Sequence, residues 1–206
     1  MWDEYVKHGL SIFPAISMSK RPAVRKWEIY QERQPKKNEI SEWKNSNYNI
    51  AVVCGSVSGN LVVIDFDNPE MFKLVFPKIA NGENKTWVVE TPRPGIHVYF
   101  RTDKPIRSRR YTDAKIDIKA EGGYVIAPPS THPNGGKYTF LIGPEDGVEI
   151  AQVKADDFFA LLENRLKELG FRIHVTEEIK EDTTRDETGD PLWVRNMLRG
   201  VKEGMR

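Results

Sequence analysis

The chain has 206 residues, 39% of them apolar, with 31 Lys and Arg against 30 Asp and Glu. This suits a soluble globular protein with one good-sized domain plus an appendage, or two small lobes, and the single Cys54 and four His exclude a disulfide framework and a cysteine-rich zinc cluster. No apolar run approaches the roughly 18–20 residues that span a bilayer, and the acidic start Met1-Trp2-Asp3-Glu4 is unlike a signal peptide, so a cytoplasmic protein with no membrane partner is expected.

In chain order, residues 2–9 read as a short helix, 11–16 as a strand and 38–45 as a helix with Asn38 placed to cap it. Residues 49–54 read as a buried strand, Gly55 to Gly59 as a plain inter-strand turn and 60–66 as a second strand. A helix over 68–79 follows, with Asn68 as cap and Pro69 at its first position. Strands are expected at 85–90, 95–101, 115–119, 123–127 and 137–141, separated by Pro- and Gly-rich turns. A helix at 155–169 carries Phe158, Leu161, Leu162, Leu166 and Leu169 on one face and stops at Gly170. Residues 176–190 read as an acidic linker and 191–206 as the start of a helical segment, so the domain itself is expected to span 1–175.

Charge is unevenly spread along this order. Lys20, Arg21, Arg25 and Lys26 form one basic cluster, and Arg101, Lys104, Arg107, Arg109 and Arg110 a second, while acid gathers late in the chain. Basic loops on a globular part can bind phosphates even where net charge is near zero.

Strand alternation places the chemistry. In Leu61 to Asp67 the two acids Asp65 and Asp67 share a face, with Val62, Ile64 and Phe66 on the other. In Gly95 to Arg101 the outward set is His97, Tyr99 and Arg101, and in Lys115 to Lys119 it is Lys115, Asp117 and Lys119. Laid side by side, these strands would make a cleft floor of three carboxylates, an imidazole and flanking cations. Three carboxylates suit one or two Mg²⁺ or Mn²⁺ ions, and the cations suit triphosphate oxygens, an inventory for phosphoryl transfer.

At these residues the chain resembles the archaeo-eukaryotic primase superfamily, and within it the bifunctional primase-polymerase domains of plasmid- and phage-type replication proteins. The likeness runs from about residue 8 to 140. Its first motif, an apolar strand ending in Asp-x-Asp, matches Leu61 to Asp67 after the Gly55–Gly59 turn. The second, a small residue and then a strand histidine, matches Pro94-Gly95-Ile96-His97-Val98-Tyr99-Phe100. The third matches Ile116-Asp117 through Gly122-Gly123-Tyr124 to Pro128-Pro129-Ser130. Phe13-Pro14, Lys20-Arg21-Pro22 and Trp27 resemble the family's lead-in.

The resemblance implies an α+β fold, with an RNA-recognition-motif-like (RRM-like) antiparallel or mixed sheet and a second small α/β lobe. It implies that Asp65, Asp67 and Asp117 bind the catalytic Mg²⁺ or Mn²⁺ ions and that His97 binds nucleotide phosphates. By position, Lys119 and Arg101 join His97 as nucleotide-binding candidates. The expected activity is template-directed transfer from an NTP or dNTP to a 3′-hydroxyl, with single-stranded DNA template and primer as partners and no zinc. Residues 190–206 resemble the opening of the helical domain that often follows such domains, so a downstream helical and helicase part of a longer protein is expected. Two other readings stay open: a replication-initiator nuclease, for which His97 lacks a His-x-His partner, and a non-enzymatic module binding single strands through Tyr99 and Tyr124.

Overall fold

The computed structural model describes residues 1–79 and 85–177. Its elements are α1 (Trp2–Lys7), β1 (Ile12–Ala15), α2 (Lys37–Lys44), β2 (Asn49–Val53), β3 (Leu61–Phe66), α3 (Pro69–Ile79), β4 (Val88–Thr91), β5 (Gly95–Thr102), β6 (Arg109–Tyr111), β7 (Ile116–Lys119), β8 (Tyr124–Ala127), β9 (Thr139–Ile142), β10 (Gln152–Val153), α4 (Ala155–Glu168) and β11 (Val175–Glu177). The protein is mixed α+β, with sheets that are antiparallel apart from the short β10–β5 pair.

A small sheet runs β1-β2-β8, and a large one runs β11-β6-β7-β3-β5-β4-β9 with β10 alongside β5. The large sheet has two apolar faces because each is covered by a different layer. On one, Val62, Ile64, Phe66, Val98, Phe100, Ile116 and Ile118 pack with Met71 and Val75 of α3 and Phe158, Leu162 and Leu166 of α4. On the other, Leu61, Val63, Val89 and Tyr99 pack with the small sheet and with Tyr5, Ile40 and Trp43 of the first two helices.

This second cover corrects one expectation. Alternation assigns Tyr99 to the open polar face with His97, yet Tyr99 is fully buried. The alternation is right and the exposure is wrong, because the small sheet lies over that end of the face. Tyr99 therefore offers no surface to stack a base.

Local corrections have local causes. Helix α2 starts one residue earlier than expected, and Asn38 lies inside it. The position before it, Lys36, donates its backbone N–H to the Glu39 carboxylate at 2.6 Å, so Glu39 closes the helix start. Asn68 does cap α3, its Oδ1 accepting the Glu70 N–H at 2.9 Å. In α4 the buried face includes Phe159, while Leu161 is exposed. Strand β6 lies where no strand is expected, since Arg109-Arg110-Tyr111 has too few apolar residues to read as one. Residues 176 and 177, expected in the linker, belong to β11, which pairs with β6. The rest of the 176–190 segment and 191–206 lie outside the described residues.

Glu39 supplies a stability prediction. Arg33 contacts it through both terminal nitrogens at 2.8 Å, Tyr30 donates at 3.0 Å, and these bonds with the Lys36 N–H hold its carboxyl down to about 2. Because the folded value lies below the unfolded one, the contribution is complete above the ordinary carboxylate range and is lost as pH falls through about 2. With partial solvent screening, Glu39→Gln should cost about 1–2 kcal/mol at neutral pH. Wild type and variant should converge in denaturant titrations repeated towards pH 2; a constant gap would contradict this account.

Candidate active site

The site lies where the small sheet's cover ends. Cross-strand register sets Arg110 of β6 beside Asp117 of β7, Asp117 beside Asp65 of β3, and Asp65 beside His97 of β5. One row across four strands thus reads cation, acid, acid, imidazole. Lys119 sits one alternation along from Asp117, opposite Val63, and Asp67 follows the end of β3. The surrounding pocket has a volume of about 490 Å³; Lys20, Gly122, Gly123, Tyr124 and Tyr138 line it with the three acids, His97, Arg110 and Lys119.

Two acids directly opposite on neighbouring strands repel each other, so something must compensate. Here several groups share the task. His97 Nε2 stands 3.5 Å from Asp65 Oδ1, Lys119 Nζ 3.4 Å from Asp117 Oδ2, and Arg110 Nη2 4.0 Å from Asp67. Arg110 Nε is 3.1 Å from Asp117 Oδ1, an ion pair too poorly aligned for a hydrogen bond, and that buried oxygen has no hydrogen-bond donor.

The acids respond differently. Burial pushes the Asp65 carboxyl up, but its bond to His97 and the charges of His97, Lys20 and Lys119 leave it below its ordinary value. Burial pushes Asp67 up, Asp65 and Asp117 add to that, and Arg110 and Lys20 only partly offset them. Tyr138 is pushed up to about 12 by burial and the Asp65 charge. His97 is itself buried, and its Nδ1 has no hydrogen-bond partner.

The structure therefore gathers Asp65, Asp67, Asp117, His97 and Lys119 in one pocket. It does not bring Arg101 there. Arg101 shares the His97 face but lies four residues along β5, opposite Leu61, where its guanidinium donates to the His8 carbonyl at 2.5 Å. Distance along the strand, rather than facing, separates it.

Arg110, Lys20 and Tyr138 belong to the pocket and were not chosen from sequence as site residues. Arg110 and Lys20 carried a signal as members of the two basic clusters; Tyr138 carried none. The Gly55–Gly59 segment is a turn tied to the loop before β8, with Ser56 N–H donating to Glu121 at 2.9 Å.

The donor set suits a hard divalent cation, which takes carboxylate oxygens. The buried Asp117 oxygen without a hydrogen bond is the observation that fits such an ion. Among the described residues, no three His, Cys, Asp or Glu side chains already converge on one point. Arg110 and Lys119 hold the near sides of the acids, so a cation would displace part of this ion pairing.

The site is thus a concave pocket that combines three carboxylates, an imidazole and three cations at one end of the large sheet. The family is shown by sequence: residues 3–154 match the bifunctional DNA primase/polymerase N-terminal (Prim-Pol) model, and the chain belongs to that family. Membership implies a nucleotidyltransferase-type enzyme with a primase/polymerase role. No curated protein matches the chain. Among the described residues, no helix is long and apolar enough to cross a membrane.

Proposed function

We propose that the chain catalyses template-directed nucleotidyl transfer from an NTP or dNTP to a 3′-hydroxyl, releasing pyrophosphate, on single-stranded DNA in plasmid- or phage-type replication. The observation that carries this reading is the register-matched pair Asp65 and Asp117, with Asp67 beside them and Lys20, Lys119 and Arg110 around them in one pocket. In this reading the large sheet with α3 and α4 is the RRM-like lobe and the small sheet with α1 and α2 the second lobe.

Asp65, Asp67 and Asp117 would hold one or two Mg²⁺ or Mn²⁺ ions, which supply Lewis-acid polarisation of phosphate and help ionise the 3′-hydroxyl. Lys119, Lys20 and Arg110 would neutralise triphosphate oxygens once the acids turn to the cation. His97 would bind a phosphate oxygen, which would also offset the cost of its buried, unpartnered Nδ1. Arg101, engaged with His8, has no part in this step. A purely binding module has no use for three acids on the same face, where they would repel a phosphate backbone.

The test is labelled rNTPs or dNTPs on primed and unprimed single-stranded templates, with Mg²⁺ or Mn²⁺. No incorporation on either template would overturn the proposal. His97→Ala should raise KM for nucleotide roughly 10- to 100-fold, the worth of one hydrogen bond to a charged group. A wild-type KM would remove His97 from phosphate binding.

A further inference from the structure

We propose that the hairpin between β1 and the Trp27–Gln31 turn is the seat of the single-stranded template beside the nucleotide pocket. Residues 16–27 carry four cations, Lys20, Arg21, Arg25 and Lys26, and no acid. Several surface cations elsewhere are paired with an acid, Lys7 with Glu4, Arg33 with Glu39, Lys44 with Asp3, Lys73 with Glu70, Lys104 with Asp156 and Arg165 with Glu168. Among the described residues the hairpin's four cations make no such pair, and all four are exposed. Lys20 acts across the pocket on Asp65 and Asp67, and a stretch with three further cations and no acid of its own is disposed to take a polyanion.

Two apolar side chains stand among them, Ile16 at 42% exposure and Met18 at 54%. Met18 is also in the left-handed region, with φ of +54°, which is uncommon for a non-glycine residue. The hairpin is nonetheless rigidly held. Buried Asn49 donates to the Ser19 carbonyl at 3.1 Å and the Thr131 carbonyl at 2.8 Å, and Ile16 N–H donates to the Arg21 carbonyl at 2.9 Å. Exposed apolar side chains on a cation-rich hairpin held in place fit unpaired bases on a phosphate backbone; a duplex would hide those bases.

Its place in the fold supplies the second argument. Lys20 lines the carboxylate pocket, and Tyr124, also in the pocket wall, donates its hydroxyl to the Lys20 carbonyl at 3.0 Å. The hairpin therefore continues the pocket wall outward, where a template base paired to the incoming nucleotide would leave the site. This role rests on the polymerase reading, but strand binding is measurable without catalysis.

The test is fluorescence anisotropy with a labelled single-stranded DNA oligonucleotide in EDTA, across a salt series. Arg21→Gln, Arg25→Gln and Lys26→Gln together should weaken binding about tenfold or more and flatten the salt dependence by about two, at roughly 0.7 per lost phosphate contact. Met18→Asn, which keeps a residue tolerant of that backbone, with Ile16→Ser should weaken binding several-fold without changing the salt slope. KM for nucleotide should stay at its wild-type value in both variants. Wild-type binding by either variant, or equal affinity for a duplex of the same length, would overturn the proposal. A wild-type chain that binds the strand but incorporates no nucleotide would instead count against the polymerase reading.

Discussion

Asp65→Ala and Asp117→Ala should each reduce metal-dependent nucleotide incorporation by on the order of 10³-fold or more while leaving the fold intact. The size follows from what the carboxylates are asked to supply. Cation stabilisation of a transferring phosphoryl group is worth several kcal/mol, and each 1.4 kcal/mol is about tenfold in rate. Asp65 and Asp117 stand opposite each other in register, so losing either removes half of that oxygen pair. The fold should survive because the same register makes the pair repulsive. Asp117→Ala removes one partner from Arg110 and from Lys119, but Arg110 keeps Asp67 at 4.0 Å and is half-exposed, so water can replace the lost contact at a cost below about 1 kcal/mol. Thermal melts and far-ultraviolet circular dichroism check the fold, and Mn²⁺ binding should weaken in parallel with activity. Full incorporation by both variants would sink the carboxylate site. Lost incorporation with unchanged Mn²⁺ affinity would move the ion elsewhere.

What could be read beforehand was whatever depends on neighbours in sequence. Period-two alternation needs only the local pattern, so Asp65, Asp67, Asp117, His97 and Lys119 were legible as outward-facing groups before any pairing was known. Register was not legible, since nothing in Ile116-Asp117-Ile118 states which residue of β3 will lie across from Asp117. For the same reason Arg110 went unassigned: it reaches Asp117 through β6, a strand too short and too charged to announce itself. Tyr99 and Arg101 show the complementary limit. They share the His97 face, but the small sheet buries one and the chain near His8 occupies the other. Which stretch of a face stays open is decided by layers that come together from distant parts of the chain, β1, β2 and β8 among them.

Gly95→Ala should lower incorporation by on the order of 10²-fold although residue 95 touches neither nucleotide nor cation. A small residue two places before the strand histidine belongs to the second motif, and packing explains why it must be small. A Cβ at Gly95 would lie 2.8 Å from the Phe66 carbonyl oxygen and 2.8 Å from Thr91 Oγ1. The Phe66 oxygen belongs to backbone, so it cannot rotate away as a flexible side chain could. Thr91 is little freer, since its hydroxyl already donates to the Arg93 carbonyl at 2.6 Å in the β4–β5 turn. The strain therefore falls on the β3–β5 pairing, where Phe66 faces Ile96 and Asp65 faces His97. Moving β5 by a few tenths of an ångström to an ångström would reposition His97 against Asp65, and a misplacement of about 1 Å can cost about 10²-fold. Stability should fall by about 1–3 kcal/mol, as for other overpacked sites. The two effects separate by measurement. A purely structural defect would lower the melting temperature and leave kcat and KM of the folded fraction unchanged at low temperature. A displaced histidine would raise KM for nucleotide under the same conditions, and little additional loss is then expected when His97→Ala is combined with Gly95→Ala. Wild-type kinetics in Gly95→Ala would show that the β3–β5 contact does not set the His97 position.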